Sequence, residues 1–407
     1  MFKLRYLTYS NFGLIEKWYE DMAKKGWKIE KIPLPFIHKF KKSKAEDIDY
    51  RISLAQNESY FSSFTKNELY DFDKMSEGLG WKLVDRSFNM NLYKLEKGAA
   101  ESLYNDDVEE LKILNKGIKG ELITLILTGL VLLLNFFFMS ASFHSPEIFY
   151  SNLILFLYPA SILFLIFAGL SIIDNISFRN KNKNVKHMQD IKFSKISYSK
   201  TYLAILILGF TLLIIGIVSN LISSSLDNNK FFLISLIPIL LAIIIFISIK
   251  KIKQTNFKTK SKKIIMILSV AFITIISAFI TSYSLSFIPE SYESIDTSEE
   301  VPLNKSLLTK SHTIYNNKDL DLQVEKIVAQ NNDLASTLFD REVKNAKNHP
   351  YDSDLVKNIS GDFPYKKTYT LAYENAYIVL DNQTVLKVMG DINNKKIQVA
   401  LEKLLGD

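Results

Sequence analysis

Five long apolar runs, at residues 122–143, 148–173, 202–222, 231–249 and 264–287, interrupt this chain of 407 residues. A helix needs about 20 residues to cross the hydrocarbon of a bilayer, and each run meets or approaches that length. None carries Asp, Glu, Lys, Arg or His in its interior. Backbone amides in lipid must be satisfied within the segment, so runs of this kind read as membrane helices. The expected architecture is a five-helix transmembrane bundle with a soluble domain at each end.

The loops fix the expected orientation. Residues 174–200 carry seven cations, among them Lys181, Lys183 and Lys186, and residues 250–263 carry seven more, including Lys250, Lys251, Lys262 and Lys263. The connectors around Ser145 and Asp227 offer only Lys230. Cationic loops stay in the cytoplasm, which places residues 1–120 inside the cell membrane and residues 288–407 outside it. Those seven named lysines are also candidate contacts for anionic lipid headgroups. Neither loop interleaves aromatics with its cations as a single-strand nucleic-acid groove does, and no nucleic-acid partner is expected.

Charge follows compartment. Residues 1–120 hold 21 Lys plus Arg against 19 Asp plus Glu, and residues 288–407 hold 14 against 19. The net charge of +7 therefore comes mostly from the two loops. With no cysteine there are no disulfides, thiolate metal sites or cysteine nucleophiles. The five histidines are dispersed, and no zinc-protease, serine-hydrolase or phosphate-loop motif occurs. The expectation is a protein that is not an enzyme and holds no cofactor or metal. The first residues lack an apolar signal region, so the first span is expected to direct insertion.

Residues 1–97 read as an α+β module with an internal repeat. Residues 3–9 are strand-like, and 14–25 have helical spacing with Leu14, Trp18, Met22 and Ile15 on one stripe. Gly26 ends that helix, and strands follow at 27–32 and 36–41. The order recurs with a strand at 49–55, a helix at 66–79 bearing Leu69, Phe72, Met75 and Leu79, then Gly80, and strands from Trp81 and at 89–95. Two such strand-helix-strand-strand units are expected to merge into one mostly antiparallel sheet with both helices on one face. Trp18, Trp27, Trp81 and Tyr50 are either core aromatics or the lining of a pocket between the repeats.

The phrase from Glu16 to Trp27, with Tyr50-Arg-Ile and Gly80-Trp81-Lys-Leu-Val, resembles the amino-terminal module of the uncharacterised bacterial family catalogued as domain of unknown function 2812. That resemblance covers about residues 1–97 and implies membrane spans after the module. It transfers no functional residue, and it implies a regulatory setting with a PadR-type transcriptional repressor or another protein as partner. The duplicated plan is also similar to gyrase-inhibitor-like effector-binding domains, which hold small molecules between their halves; this is an analogy of fold.

Residues 98–120 form a helical connector with Leu103, Val108, Leu111 and Leu114 on one side. A rigid connector would couple the module to the spans, whereas a flexible one would tether it. Pro159 and Pro238 fall inside spans. The extracytoplasmic part, 288–407, begins with an acidic, Ser-rich stalk; folded sequence resumes near Leu320 as a small α+β domain. There, 321–345 reads as helix with Val324, Ile327, Leu334 and Leu338 inward, 367–374, 376–381 and 384–389 as strands, and 395–405 as a helix with Ile397, Leu401 and Leu404 inward. Asn331, Asn332, Asp333, Asp352 and Asp354 lack calcium-loop spacing.

The function expected from these features is a non-enzymatic regulator or sensor whose cytoplasmic module binds a protein or small-molecule effector, with membrane lipids and a second copy of the chain as further partners. The alternative is an accessory component of a transport, export or resistance system.

Overall fold

The computed structural model describes residues 1–53, 66–87, 90–96, 107–194, 196–223, 297–303, 305–348, 353–371 and 375–406. These fall into two compact units, one built on Met1–Leu133 and Leu163–Gly209, the other on Leu134–Ile162 and the carboxy-terminal residues.

The repeat is present in the first unit. β1 (Phe2–Leu4), α1 (Phe12–Lys24), β2 (Trp27–Leu34) and β3 (Ile37–Lys42) are followed by β4 (Ile48–Ser53), α2 (Lys66–Gly78), β5 (Trp81–Ser87) and β6 (Met90–Glu96). Each half makes an antiparallel three-stranded sheet in which its third strand is central, in the orders β1-β3-β2 and β4-β6-β5. Gly26 and Gly80 lie at φ +80° and +89°, the left-handed conformation that ends each helix immediately before its tryptophan. Register slips at equivalent places, Ile29/Lys31 and Leu83/Asp85.

The expected single merged sheet is not formed. The slips twist the neighbouring strands β2 and β5 out of ladder geometry, and the Asp85 carboxylate accepts the Ile32 amide at 2.6 Å where a strand partner would sit. Instead α1 packs across β4 of the other half. Its buried face is Phe12, Ile15, Glu16, Tyr19 and Ala23, whereas Leu14, Trp18 and Met22 are half-buried. On α2 the exposed Met75 breaks the expected stripe, and Phe72 and Leu79 pack on Trp81, Tyr93 and Leu95.

Three helices are long and apolar enough to cross a membrane. They are α3 (Asp107–His144), α4 (Asn152–Lys181) and α5 (Ile196–Ser223), with mean hydropathies of 2.0, 2.5 and 2.6 over their spanning parts. Leu130, Phe137, Ile173 and Ile214 are exposed apolar side chains on them, as a hydrocarbon surround permits. The second helix begins later than expected because Pro146–Phe149 forms a 3-10 turn, and it runs on to Lys181. Arg179 and Lys181 thus occupy its last turn, where cations oppose the helix dipole. Pro159 sits inside α4. Spans 231–249 and 264–287, with Pro238, lie outside the described residues.

In the second unit a six-stranded sheet has the order β10-β11-β12-β9-β8-β7. Its strands are β7 (Thr297–Pro302), β8 (Thr309–Asn317), β9 (Leu322–Ala329), β10 (Lys367–Thr370), β11 (Ala376–Asp381) and β12 (Thr384–Met389), with helices α6 (Asn332–Lys347) and α7 (Lys395–Gly406). Two expectations fail here. Strand structure starts at Thr297, inside the supposed stalk. Val324 and Ile327 are buried in β9, a strand, because β8 and β12 satisfy its backbone on both edges, and Asn331 caps α6 only after it, its side chain accepting the Leu334 amide. Asn382 at φ +48° turns the β11–β12 hairpin, and Ile397, Leu401 and Leu404 of α7 are buried as expected.

The carboxy-terminal sheet is tied to the start of α4. The Asn152 side-chain oxygen accepts the Leu307 amide at 2.7 Å, and Arg341 donates to the carbonyls of Phe143 and Ser145. A half-buried ionic set lies beside these: the Tyr150 hydroxyl donates to Glu342 at 2.5 Å, Lys387 reaches Glu342 at 2.6 Å and Glu325 at 3.3 Å, and His312 bonds Glu325 at 2.8 Å. Burial opposes ionisation of Glu325, but Lys387 and His312 outweigh it and hold the carboxyl at about 2. Burial would lower the Lys387 pKa; Glu325, Tyr150 and Glu342 raise it well above its usual value.

Candidate functional site: the module and the ends of the spans

The amino-terminal module shares its core with the first span helix. Leu114 and Ile118 of α3 belong to the same apolar cluster as Tyr9, Tyr19, Phe40 and Tyr50. A Cβ on Gly117 would come within 2.6 Å of the Tyr9 ring, so only glycine admits this approach. Arg51 of β4 donates to Glu110 of α3 at 2.8 Å and lies 3.8 Å from Glu16 of α1. Val108, expected on the apolar side of the connector, is exposed; Leu103 lies outside the described residues.

The module is also bonded to the loop after α4. Asp174 accepts hydroxyl hydrogen bonds from Ser10 and Ser194, both at 2.7 Å. The Tyr6 amide donates to Ser199 of α5 at 2.9 Å, and Phe12 meets Phe193 edge to face at 5.1 Å. Phe178, Met188 and Ile191 enter the module's cluster from the α4 end and its loop.

Among the polar side chains buried inside the module are His38 and Glu16. His38 is fully enclosed; its Nε2 donates to the Arg5 carbonyl at 2.8 Å, so Nδ1 accepts the Tyr19 hydroxyl at 2.7 Å. Burial lowers its pKa to about 4. Glu16 accepts the Ile52 amide at 2.6 Å, and burial, only partly opposed by Arg51, raises its pKa to about 8.

Of the aromatics singled out from sequence, Trp18 and Tyr50 both touch Tyr19, and Arg5 covers the Trp18 ring at 4.1 Å. Trp27 packs on this first cluster and Trp81 belongs to the other. Trp27 follows Gly26 and Trp81 follows Gly80, so each packs on the cluster of its own half. They close the equivalent corner of each half.

A cavity of about 830 Å³ opens elsewhere in this unit. One wall is a face of α3, with Val108, Leu111, Lys112, Asn115, Lys116 and Lys119; the other is Arg179 of α4 with Lys183, Val185, Lys186 and His187 of the following loop. A neighbouring hollow of about 420 Å³ includes Lys181 and Lys192 and shares Lys186. Lys181, Lys183 and Lys186 are thus brought together, while Lys250, Lys251, Lys262 and Lys263 lie outside the described residues. Lys112, Lys116 and Lys119 were not among the headgroup contacts expected from sequence, although spacings of four and three put them on one helical face.

The described residues contain no group of three or more His, Cys, Asp or Glu arranged to hold a metal. No curated protein and no solved structure matches the chain. Residues 11–126, which are α1 through the first part of α3, match the family described as Protein of unknown function (DUF2812).

Proposed function

We propose that this chain is a multi-pass regulator or sensor of the cell membrane, non-enzymatic, whose amino-terminal module takes up an effector or partner protein on the cytoplasmic side and transmits its state into the spans. The observation that carries the reading is that α3 is one uninterrupted helix from Asp107 to His144 and contributes Leu114 and Ile118 to the module's own core. A change in the module's packing therefore displaces a membrane helix directly. The cation-rich loop after α4 bonds to the module through Ser10 and Ser194, which supports a cytoplasmic location for the module. The partner implied by the family resemblance, a PadR-type repressor, fits such a role.

Two experiments test this. The chain has no cysteine, so Lys41→Cys in the module and Lys344→Cys in the carboxy-terminal domain, both at exposed positions, can be probed in intact cells with an impermeant maleimide. Labelling at 344 only is expected; labelling at both or at 41 alone refutes the topology. Three glycines inserted after Lys119 should leave the protein in the membrane but abolish the difference in transcript profile between cells with and without the native chain. An insertion strain indistinguishable from the native strain refutes transmission through α3.

A further inference from the structure

Lys112, Lys116, Lys119, Arg179, Lys183 and Lys186 all line the 830 Å³ cavity, and all six side chains are exposed. None makes an ion pair or side-chain hydrogen bond among the described residues. Like charges gathered in this way repel one another unless an anion sits among them.

The arrangement is also held in place. Asn182, at the end of α4, donates to the carbonyls of Phe178 and Lys192 and accepts the Lys192 amide at 2.8 Å. That clamp closes the loop carrying Lys183 and Lys186, and Met188 and Ile191 anchor it in the module's core. The opposite three lysines stand on a helix whose Leu114 and Ile118 are buried in that same core. A topology signal needs only cations in the loop; it requires neither a clamp nor a matching row of lysines on a second element.

Position and lining narrow the ligand. Lys116 and Lys119 immediately precede the apolar run that begins at Leu122, and Arg179 lies just beyond the one that ends at Ile173. At about 1.5 Å of rise per residue, Lys119 and Lys116 stand about 5–9 Å from Leu122, so the membrane-side end of the cavity reaches the depth of headgroup phosphates. Val108, Leu111 and Val185 add apolar surface to an otherwise cationic wall, suited to a phosphate ester with a glycerol or acyl portion attached.

We propose that this cavity is a binding site for a phosphate-bearing anion with an apolar part, the chemistry shared by an anionic phospholipid headgroup and a soluble phosphate ester. The inference deepens the regulatory reading by naming the ligand's chemistry, and rests on that reading only for the consequence of binding.

The full chain, purified in neutral detergent, is titrated with phosphatidylglycerol, with phosphatidylcholine and with glycerol 3-phosphate, and binding is measured by native mass spectrometry and by thermal shift. Phosphatidylglycerol is expected to bind and phosphatidylcholine is not. The triple variant Lys112→Gln/Lys116→Gln/Lys183→Gln should bind about a hundred-fold more weakly, at about a factor of five per cation, while the same three changed to Arg keep binding. Removing three cations outside the cavity, Lys3→Gln/Lys17→Gln/Lys41→Gln, should change little.

Binding of phosphatidylglycerol that glycerol 3-phosphate does not displace assigns the site to a lipid. Displacement at millimolar ester assigns it to a soluble phosphate. Equal losses in the cavity and control variants, or no binding of either anion, overturn the proposal and leave the cations as topology signals. Transmission is read separately from tryptophan emission, since all three tryptophans lie in the module. Binding without an emission change sinks the regulatory reading and leaves the site intact.

Discussion

Replacing Glu16 by glutamine should stabilise the amino-terminal module at neutral pH and flatten its dependence on pH. The side chain is buried and its pKa is raised from 4.5 to about 8 in the folded chain. A group raised in this way stabilises the fold fully below its unfolded value and loses that contribution as pH rises through the folded value. At pH 7 the folded state still holds the proton, whereas the unfolded chain has released it. The gap between 4.5 and 7 costs the fold about 3 kcal/mol, at about 1.4 kcal/mol per unit. By pH 8 and above the loss approaches about 5 kcal/mol. Glutamine keeps an oxygen for the Ile52 amide and carries no charge to desolvate, so the variant should match the native chain near pH 4.5 and exceed it progressively toward pH 8. The three tryptophans report on the module alone. Guanidinium titrations of the full chain in detergent, followed by tryptophan emission at pH 5, 6, 7 and 8, therefore give the comparison. Parallel curves for the two proteins would show that Glu16 is ionised in the folded state and that the burial argument is wrong.

His38 works in the other direction. Its pKa is lowered to about 4 by burial, so its contribution is complete above about 6.5 and is lost as pH falls toward 4; His38→Gln should remove that acid-side loss in the same titrations. In the carboxy-terminal domain, Lys387→Met leaves the half-buried Glu325 and Glu342 without their shared cation, a loss of about 1–3 kcal/mol visible as a lower Tm by circular dichroism, whereas Lys387→Arg should retain much of it. Gly216 of α5 lies against α4, and a Cβ there would sit 2.9 Å from the Phe156 Cβ; Gly216→Leu should force the helices apart and lower the yield of folded protein in detergent, while Gly169→Leu, with open space around it, should not. Gly80→Ala places a side chain at φ +89° and should cost about 1 kcal/mol by tryptophan-monitored unfolding.

The repeat was legible because its punctuation is local. A glycine in the left-handed region followed by tryptophan marks the end of one element and the start of the next, twice. β11, β12 and α7 were equally legible, from alternation, an Asn at the turn and a three-residue apolar stripe. What local pattern did not disclose was partnership. Val324 and Ile327 also fit a helical stripe; only β8 and β12 on either side make β9 a strand, and β8 itself is polar enough to pass for a stalk. The two half-sheets stay apart where the register slips, and there the Asp85 side chain takes an amide that a strand would otherwise use. In the candidate site, the loop lysines were visible as a charge run, but the α3 lysines gained meaning only once the fold set that helix face opposite them.

For the regulatory role proposed above, the two-walled form of the cavity has an energetic consequence. A ligand shifts a conformational equilibrium only by the difference in its affinity for the two states. Three of the cations, Lys112, Lys116 and Lys119, stand on α3, and three, Arg179, Lys183 and Lys186, stand on α4 and its loop. If α3 moves away from that loop, an anion left on one wall keeps three cations instead of six. At about a factor of five per cation, the arrangement with both walls closed is favoured about a hundred-fold. That ratio is enough to turn a state populated at about one part in ten into the dominant one. A tethered module could not use it, because the anion would then hold a loop and a lysine row with nothing attached. In this chain the lysine row is continuous with the module core at Leu114 and Ile118 and with the apolar segment beyond Leu122, so in the proposed mechanism closing the cavity and setting the position of that segment are the same movement.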